Sequence, residues 1–315
     1  AINTNATMAN PELKWEKTSQ FNVGVDLAIY DRVNINFDFY KKKTSDLIIP
    51  MKLPMESGLN EQWVNAADFD VTGVELTVNA QVIHRNNFNW NVDFNFGWND
   101  NKVSKINIAG ESAKSRLAST GIIEGAKNRP YYVYKFKEIN EAGAMTFYDR
   151  NNDNMVDNKD RMVMGAQDPT YTLGLGSSFS YKGFSFDFFF DSALGRKLLN
   201  SNKAEHTSAY TADPSNLYKC VLTEKNLPKT YNQTVGGDFI NNSRWIEDAS
   251  YLRLQNVTLS YTFGTKAFGN VIKSLRVYVQ GQNLFTVSQW SGVNPESNNL
   301  YPSLRSFTGG LSITF

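Results

Sequence analysis

The chain has 315 residues, a formal net charge of +1 and one cysteine, Cys220. The near-neutral charge gives no electrostatic reason to expect nucleic-acid binding, and a single cysteine excludes an internal disulfide and a multi-cysteine metal site. The mean hydropathy is −0.42, and no apolar run approaches the roughly 18 residues of a transmembrane helix.

Alternation of apolar and polar residues dominates the chain from its N-terminal part onward. Its first clear example is the run from Phe21 to Ile29, in which every second residue is apolar. Strict period two over such lengths predicts strands with two differently solvated faces. In chain order, the pattern predicts nine long strands, at 15–31, 33–46, 70–84, 87–106, 170–182, 184–194, 248–263, 272–287 and 303–315.

The two faces of these strands differ in a way that favours a membrane barrel. One face carries Phe, Val, Leu and Trp, and the other carries Asn, Asp, Gln and Thr, which suits lipid outside and a wet lumen inside. Trp90 and Trp98, eight residues apart on one apolar face, suit the two interfacial girdles. The alternative is a large soluble sandwich with two core tryptophans. We predict an all-β fold, an antiparallel transmembrane β-barrel.

The connections alternate between short turns and long loops near 47–69, 107–169, 195–247 and 288–302. Since outer-membrane barrels have short periplasmic turns and long extracellular loops, the alternation predicts which end faces outward. Single-chain bacterial barrels have an even number of strands, whereas nine is odd, and the N-terminus shows no signal peptide. We therefore expect residues 1–315 to be the C-terminal part of a larger barrel and not to close alone.

In the predicted strand 248–263, the alternation of apolar residues shifts by one position. Leu252 and Leu254 have even numbers, whereas the apolar residues from Val257 to Phe263 have odd numbers. A β-bulge near Gln255–Asn256 would restore a single lipid-facing side. The alternative is that the first part of this strand lies beyond the membrane.

Several segments resemble the C-terminal part of SusC/RagA-type TonB-dependent transporters. They occur in the family's order and are Asn10–Thr18, Gly73–Leu76, Tyr148–Asp157, Glu247–Tyr261, Val279–Phe285 and Tyr301–Phe307. The pieces Glu-Asp-Ala-Ser-Tyr-Leu-Arg-Leu and Gly-Gln-Asn-Leu-Phe are the most specific of them.

The resemblance implies a plugged barrel of about 22 strands in the outer membrane of a Gram-negative bacterium of the Bacteroidota. It implies import of oligomeric nutrients, glycans or peptides, with a SusD-like lipoprotein as a lid. It also implies energy from TonB through an N-terminal part that includes the plug domain, which nothing in residues 1–315 matches. The terminal Phe315 resembles the signal that the barrel-assembly machinery reads. Two alternatives stay open at this point. One is a structural or adhesive outer-membrane barrel without transport activity. The other is an outer-membrane enzyme, which is disfavoured because no catalytic grouping stands out and because His84 and His206 are far apart in the sequence.

An acidic segment between two predicted strands matches the ligand spacing of a calcium-binding loop. Oxygen ligands at positions 1, 3, 5, 9 and 12 and a carbonyl at position 7 map to Asp149, Asn151, Asp153, Asp157, Asp160 and Met155. A structural Ca²⁺ site is one interpretation, and an Asx-rich turn without metal is the other.

Aromatic residues in the predicted outer loops are candidates for contact with an oligosaccharide or peptide ligand. They are Trp63, Tyr131, Tyr132, Tyr134, Trp290 and Tyr301. For each of them, ordinary packing within the loops is the alternative.

Overall fold

The computed structural model describes residues 7–207, 218, 221, 227–228, 239–264, 272–297 and 301–315. Their strands are β1 (Thr7–Met8), β2 (Lys17–Ile29), β3 (Val33–Lys52), β4 (Glu61–Arg85), β5 (Phe88–Ile106), β6 (Pro130–Tyr134), β7 (Phe136–Ile139), β8 (Met145–Phe147), β9 (Arg161–Ala166), β10 (Tyr171–Tyr181), β11 (Phe184–Leu194), β12 (Lys197–Leu199), β13 (Ile246–Asp248), β14 (Tyr251–Phe263), β15 (Ser274–Ser288) and β16 (Ser306–Thr314). Two short α-helices, α1 (Glu111–Ser119) and α2 (Ser201–His206), lie in the long connections. In this described part, no helix is both long and apolar enough to cross a membrane.

Nine long strands form one antiparallel sheet in the order β16-β15-β14-β11-β10-β5-β4-β3-β2. These are the nine strands that the alternation predicts, so both the predicted all-β class and the antiparallel barrel wall are confirmed. Within the described ranges, β2 and β16 each pair with one neighbour of this path, and the sheet is therefore open. The short strand β1 pairs with the start of β4 in parallel.

Two strands are longer than predicted. β3 continues to Lys52 and β4 begins at Glu61, so most of the expected loop near 47–69 is paired strand, closed by a tip at 53–60. The alternation is lost here because both strands pass through irregular pairing at Leu47 and then enter a buried cluster that includes Ile49. A strand with apolar residues on consecutive positions gives no period-two signal.

The pairing register assigns each residue to one side of the sheet. Phe39 pairs with Val74, and Val74 pairs with Trp98, so all three lie on the apolar, lipid-facing side. The next row belongs to the lumen-facing side, where Tyr40 pairs with Gly73. On that side the Asn99 amide donates a hydrogen bond of 3.0 Å to the Tyr40 hydroxyl, across the intervening strand β4.

The predicted bulge is confirmed. On β14, Leu254 pairs with Phe190 and Asn256 pairs with Phe189, so Gln255 is the extra residue. The bulge changes the phase of β14 once, because two residues oppose one at that point. As a result, Leu254 and the apolar residues from Val257 onward lie on the same lipid-facing side.

The tight turns of this sheet that the structure describes, at 30–32, 86–87 and 182–183, lie at one end of it. The turn between β2 and β3 has Tyr30 and Asp31 at φ of 51° and 53°, and Arg32 N–H bonds to the Ile29 carbonyl at 3.0 Å. Positive φ at both central residues is the type I′ geometry that matches the twist of a hairpin. The long connections lie at the opposite end, where they form the candidate site.

Candidate functional site

The long connections fold into a layer at the end of the sheet opposite the tight turns. This loop layer consists of residues 107–169, 195–207, 239–250 and 289–297. Its largest aromatic cluster is formed by Tyr134, Met145, Phe147, Ala204, Phe239 and Trp245. Because these residues come from two separate connections, the one between β5 and β10 and the one between β11 and β14, the layer is one packed unit and not a set of independent loops.

The helix α1 lies on the lumen-facing side. Its residues Ala113 and Leu117 pack in one cluster with Val103 of β5. Val103 has the same parity as Asn99 and Asn101, and pairing with β4 is uninterrupted between Asn99 and Val103. Side chains of equal parity on an unbroken strand point to the same side. The connection after β5 therefore folds inward, over the mouth of the lumen.

A groove with a volume of about 700 Å³ separates α1 from the acidic segment 149–160. Its lining is Ile106, Glu111, Ser112, Lys114, Ser115, Ala118, Ile122, Ile123, Glu124, Tyr132, Arg150, Asp157, Asn158 and Lys159. An apolar floor with a charged rim and a volume in this range is typical of ligand-binding clefts.

The aromatic candidates have different positions. Tyr132 lines the groove, and Trp63 and Tyr301 are 42% and 82% exposed. Tyr131 is half-buried, and its hydroxyl accepts a hydrogen bond of 2.9 Å from the Leu199 N–H. Burial raises the pKa of Tyr131.

Two of the aromatic candidates pack inside the loop layer. Tyr134 is 2% exposed and stacks on Phe147, with ring centroids 5.4 Å apart. Trp290 is 8% exposed and packs with Leu198 and Ala249. The burial of Tyr134 and Trp290 fits ordinary packing within the loops, because rings enclosed by other side chains leave little surface for a ligand.

The acidic segment forms a compact turn stabilised by its own side chains. Asp149 accepts a hydrogen bond from the Asn154 N–H at 2.8 Å, and Asp153 accepts one from the Met155 N–H at 2.9 Å. Asn151 accepts one from the Asp153 N–H at 3.1 Å. These are the Asx-turn contacts of the metal-free interpretation.

Asp160 is the fully buried carboxylate of this segment. Its Oδ1 atom accepts from the N–H groups of Arg150 and Asn151, at 2.8 and 3.4 Å, and its Oδ2 atom accepts from the Asp157 N–H at 2.7 Å. Burial raises the pKa of Asp160, but these donors outweigh burial and the pKa is lowered overall. Over the described residues, no three His, Cys, Asp or Glu side chains are grouped so as to hold a metal ion.

A polar network that the sequence did not single out joins two connections of the loop layer. The Glu247 carboxylate accepts from the Ser291 N–H and hydroxyl, and Lys203 Nζ lies 3.0 Å from Glu247 Oε1. The Asn200 amide donates to the Ser291 hydroxyl at 3.1 Å. Glu247 is the first residue of the family segment Glu247–Tyr261. The match of that segment was the sequence signal that could have pointed to this network.

A second ion pair fixes the connection after β15. Arg253 is 5% exposed, and its Nη1 atom lies 2.9 Å from Glu296 Oε2. The guanidinium also stacks over the Tyr251 ring, 4.8 Å from its centroid. This pair holds residues 289–297 against the wall of the sheet.

The remaining singled-out residues lie apart from the groove. His84, near the turn end of β4, has its Nδ1 atom 3.3 Å from Gln81 Nε2. His206 ends α2 and packs against Tyr218, with ring centroids 5.6 Å apart. Cys220 lies outside the described residues. Phe315 follows β16 directly and is 72% exposed.

Comparison with known proteins decides the family. Residues 1–284 match the family described as TonB dependent receptor-like, beta-barrel. The chain belongs to this TonB-dependent receptor barrel family. The family consists of transporters and not of enzymes, and its homologues place the protein in the outer membrane of a Gram-negative bacterium.

Two relatives and one solved structure match this receptor barrel over almost the whole length of the chain. TonB-dependent receptor P3 of Formosa agariphila is 30% identical over 98% of the chain and 35% of its own length. TonB-dependent receptor SusC of Bacteroides thetaiotaomicron is 29% identical over 97% of the chain and 32% of its own length. The structure of the RagAB peptide transporter superposes with a TM-score of 0.82 and 26% identity, over 98% of this chain and 36% of that one. The chain spans about a third of the length of these relatives, and the resemblance to the SusC/RagA type is confirmed.

Proposed function

We propose that this chain is part of the barrel of a TonB-dependent outer-membrane importer of oligomeric nutrients, glycans or peptides, which acts with a SusD-like surface lipoprotein. The observation that carries the proposal is the TM-score of 0.82 to the RagAB peptide transporter over 98% of the chain. The 29% identity to SusC supports the same class of protein. TonB would act through a part of the protein that corresponds to the remaining two thirds of these relatives.

The loop layer supports a ligand-binding role at the mouth of the lumen. The groove beside α1 lies over the lumen-facing side, and Tyr132 is the aromatic candidate that lines it. Charged side chains of both signs, among them Lys114 and Glu124, surround an apolar floor that includes Ile122. Such a lining offers both hydrophobic and polar contacts to an oligomer that enters from outside.

Uptake by intact cells tests the proposal. A strain that lacks the gene, complemented with the wild-type protein, should accumulate fluorescently labelled oligosaccharides or oligopeptides from a mixed pool, and dissipation of the proton gradient should stop this. Tyr132→Ala should lower the uptake of the accepted oligomer several-fold. Tyr148→Ala is the matched control, because this tyrosine is exposed in the same layer but does not line the groove.

The structural or adhesive alternative has its own outcome in the same strains. If deletion of the gene leaves uptake of every pool unchanged but weakens the envelope or surface attachment, the transport proposal is wrong. Co-purification from solubilised membranes tests the partner separately. A SusD-like lipoprotein should be retained with the tagged protein in stoichiometric amount.

A further inference from the structure

The lipid-facing side of β5 has an apolar band whose height matches a membrane. The apolar residues of this side run from Phe88 to Trp98. Ten residues at about 3.4 Å each, on a strand tilted by about 40°, rise about 26 Å, and the apolar band of outer-membrane barrels is about 25 Å tall. Trp98 therefore lies at the outer interface, and side chains beyond it on the same side lie among lipid headgroups.

Lysines occupy this headgroup level on β2, β3 and β5, three of four consecutive strands of the sheet. Lys43 of β3 pairs with Asp70 of β4, which pairs with Lys102 of β5, and this row lies two positions beyond the row in which Lys41 pairs with Thr72. Lys17 of β2 has the same lipid-facing parity as Phe21, which pairs with Lys41. We call Lys17, Lys41, Lys43 and Lys102 the lysine patch.

The patch keeps an excess of positive charge. Lys43 Nζ lies 3.6 Å from Asp68 Oδ2, and Asp70 lies in register between two lysines. Asp100, one row below, is paired with Lys127 at 3.7 Å. Over the residues that the structure describes, neither Lys41 nor Lys102 has an ion-pair partner within 4 Å.

Other strands of the described sheet carry at most one cation at this level. Beyond the last apolar, lipid-facing residue, β10 is preceded by Pro169, β14 is preceded by Ser250 and β15 is followed by Gln289. Arg196 follows β11, with its Nε atom buried, and the exposed Arg305, of the same parity as Phe307, precedes β16. Single cations therefore occur elsewhere on the outer rim, whereas β2 to β5 bring several lysines together, and this clustering calls for a localised anionic partner.

We infer that the lysine patch binds the phosphate groups of an outer-leaflet glycolipid, namely the phosphorylated lipid anchor of lipopolysaccharide. The lipid-facing parity excludes a ligand in the lumen, and the height above the apolar band places the ammonium groups beside headgroup phosphates. Long lysine side chains bury their stems against the band and extend their charges to this level. Neighbouring strands are about 4.8 Å apart, so ammonium groups from two or three strands can contact one phosphorylated headgroup.

The test compares two triple variants that remove the same charge from the protein purified from outer membranes in mild detergent. Lys41→Gln/Lys43→Gln/Lys102→Gln removes three of the four lysines of the patch. Lys42→Gln/Lys52→Gln/Lys137→Gln is the control, because Lys42 lies between Lys41 and Lys43 but faces the lumen by parity. Retention of the folded, heat-modifiable band in gel electrophoresis shows that both variants assemble.

Lipopolysaccharide retained per protein, measured by mass spectrometry of the lipid anchor, should fall at least fivefold in the patch variant and stay unchanged in the control. Rebinding to delipidated wild-type protein should be strong for lipopolysaccharide and weak for its enzymatically dephosphorylated form, and inorganic phosphate should compete only at high concentration. Equal retention in both variants overturns the inference. So does rebinding that ignores dephosphorylation, or a patch variant that loses self-association while its bound lipid stays the same.

Discussion

The carboxylate of Glu247 accepts hydrogen bonds from both the backbone N–H and the hydroxyl of Ser291, at 2.9 and 2.8 Å, across 44 residues of sequence. The bonds join the connection before β14 to the connection after β15. Burial raises the pKa of Glu247, but the Ser291 donors and Lys203 outweigh burial, so the pKa lies below its ordinary value of 4.5. The charged form of Glu247 is therefore the form that stabilises the loop layer.

The first prediction concerns pH. A group whose pKa is lower in the folded state contributes its full stabilisation above its ordinary pKa, and the contribution is lost as the pH falls through the lowered value. Hydrogen exchange in residues 195–207 and 289–297 should therefore accelerate, relative to the intrinsic rate, below about pH 4.5. Glu247→Gln should accelerate it already at pH 7, by an amount corresponding to about 1–3 kcal/mol. Glu111→Gln is the control, because Glu111 is exposed in an i,i+3 pair with Lys114. Unchanged exchange in Glu247→Gln would show that the network is not stabilising.

The second prediction concerns the lumen wall. A methyl group at Gly73 would overlap the Tyr40 ring, which lies directly over this glycine. Gly73→Ala should displace the ring, break its hydrogen bond with Asn99 and cost about 1–3 kcal/mol, as overpacking does. The temperature at which heating converts the folded barrel band to the unfolded band in gel electrophoresis should fall. Tyr40→Phe removes only the hydroxyl and should have a smaller effect, so an equal or larger drop in Tyr40→Phe would contradict the packing argument.

The membrane-spanning wall could be predicted from the sequence because its two sides face lipid and water. That contrast forces strict alternation, and the bulge at Gln255 was readable as a single change of phase in it. The extension of β3 beyond Asp46 could not be predicted from alternation. Residues such as Ile49 are covered by α1 and its neighbours, and a strand covered by protein does not have to alternate.

The loop layer was less predictable for a related reason. Tyr134 and Trp290 are aromatic and lie in long connections, which are the same features that ligand-contacting residues show. Only tertiary packing distinguishes the two roles, since segments far apart in sequence enclose both rings. The network of Glu247 and Ser291 likewise depends on contacts between separate connections, which a single sequence does not encode as a local pattern.

The third prediction concerns assembly. Phe315 is exposed at the end of the lipid-facing side of β16, where Phe307, Leu311 and Ile313 precede it. Since a terminal aromatic on such a strand resembles an assembly signal, Phe315→Ala in the full chain should lower the amount of inserted protein several-fold. Ligand affinity per inserted molecule should stay unchanged. Ile313→Ala is the matched control for lost apolar surface, and normal surface levels of Phe315→Ala would refute the role.

The fourth prediction concerns the buried carboxylate of the acidic segment. Asp160 receives three backbone N–H donors, so Asp160→Asn would place amide hydrogens against one or more of them. We expect a local loss of about 1.5–3 kcal/mol, the range for hydrogen bonds to charged groups, seen as faster hydrogen exchange over residues 149–160. Asp153→Asn should have a much smaller effect, because Asp153 is exposed. Equal effects of the two variants would contradict the special role of Asp160.

The last prediction concerns calcium in the same segment. Asp149 Oδ1 is buried and lacks a hydrogen-bond partner, so it is free to ligate, whereas both oxygens of Asp160 are occupied by N–H groups. Calcium binding would therefore rely on Asp149, Asn151 and Asp153 and would require Asp160 to exchange a backbone bond for the ion.

The calcium hypothesis predicts that chelation speeds hydrogen exchange over residues 149–160 and that Asp149→Ala/Asp153→Ala removes the difference between chelator and calcium. It also predicts density about 2.3–2.6 Å from these oxygens in an experimental map obtained in calcium. Asp168→Ala, later in the same connection, should leave the calcium response intact, because Asp168 pairs with Arg129 outside the acidic segment. Identical exchange with and without calcium in the wild-type protein, together with an ordered loop that holds no ion, would leave the Asx-rich turn as the correct interpretation, because its hydrogen bonds alone would then account for the fold of the segment.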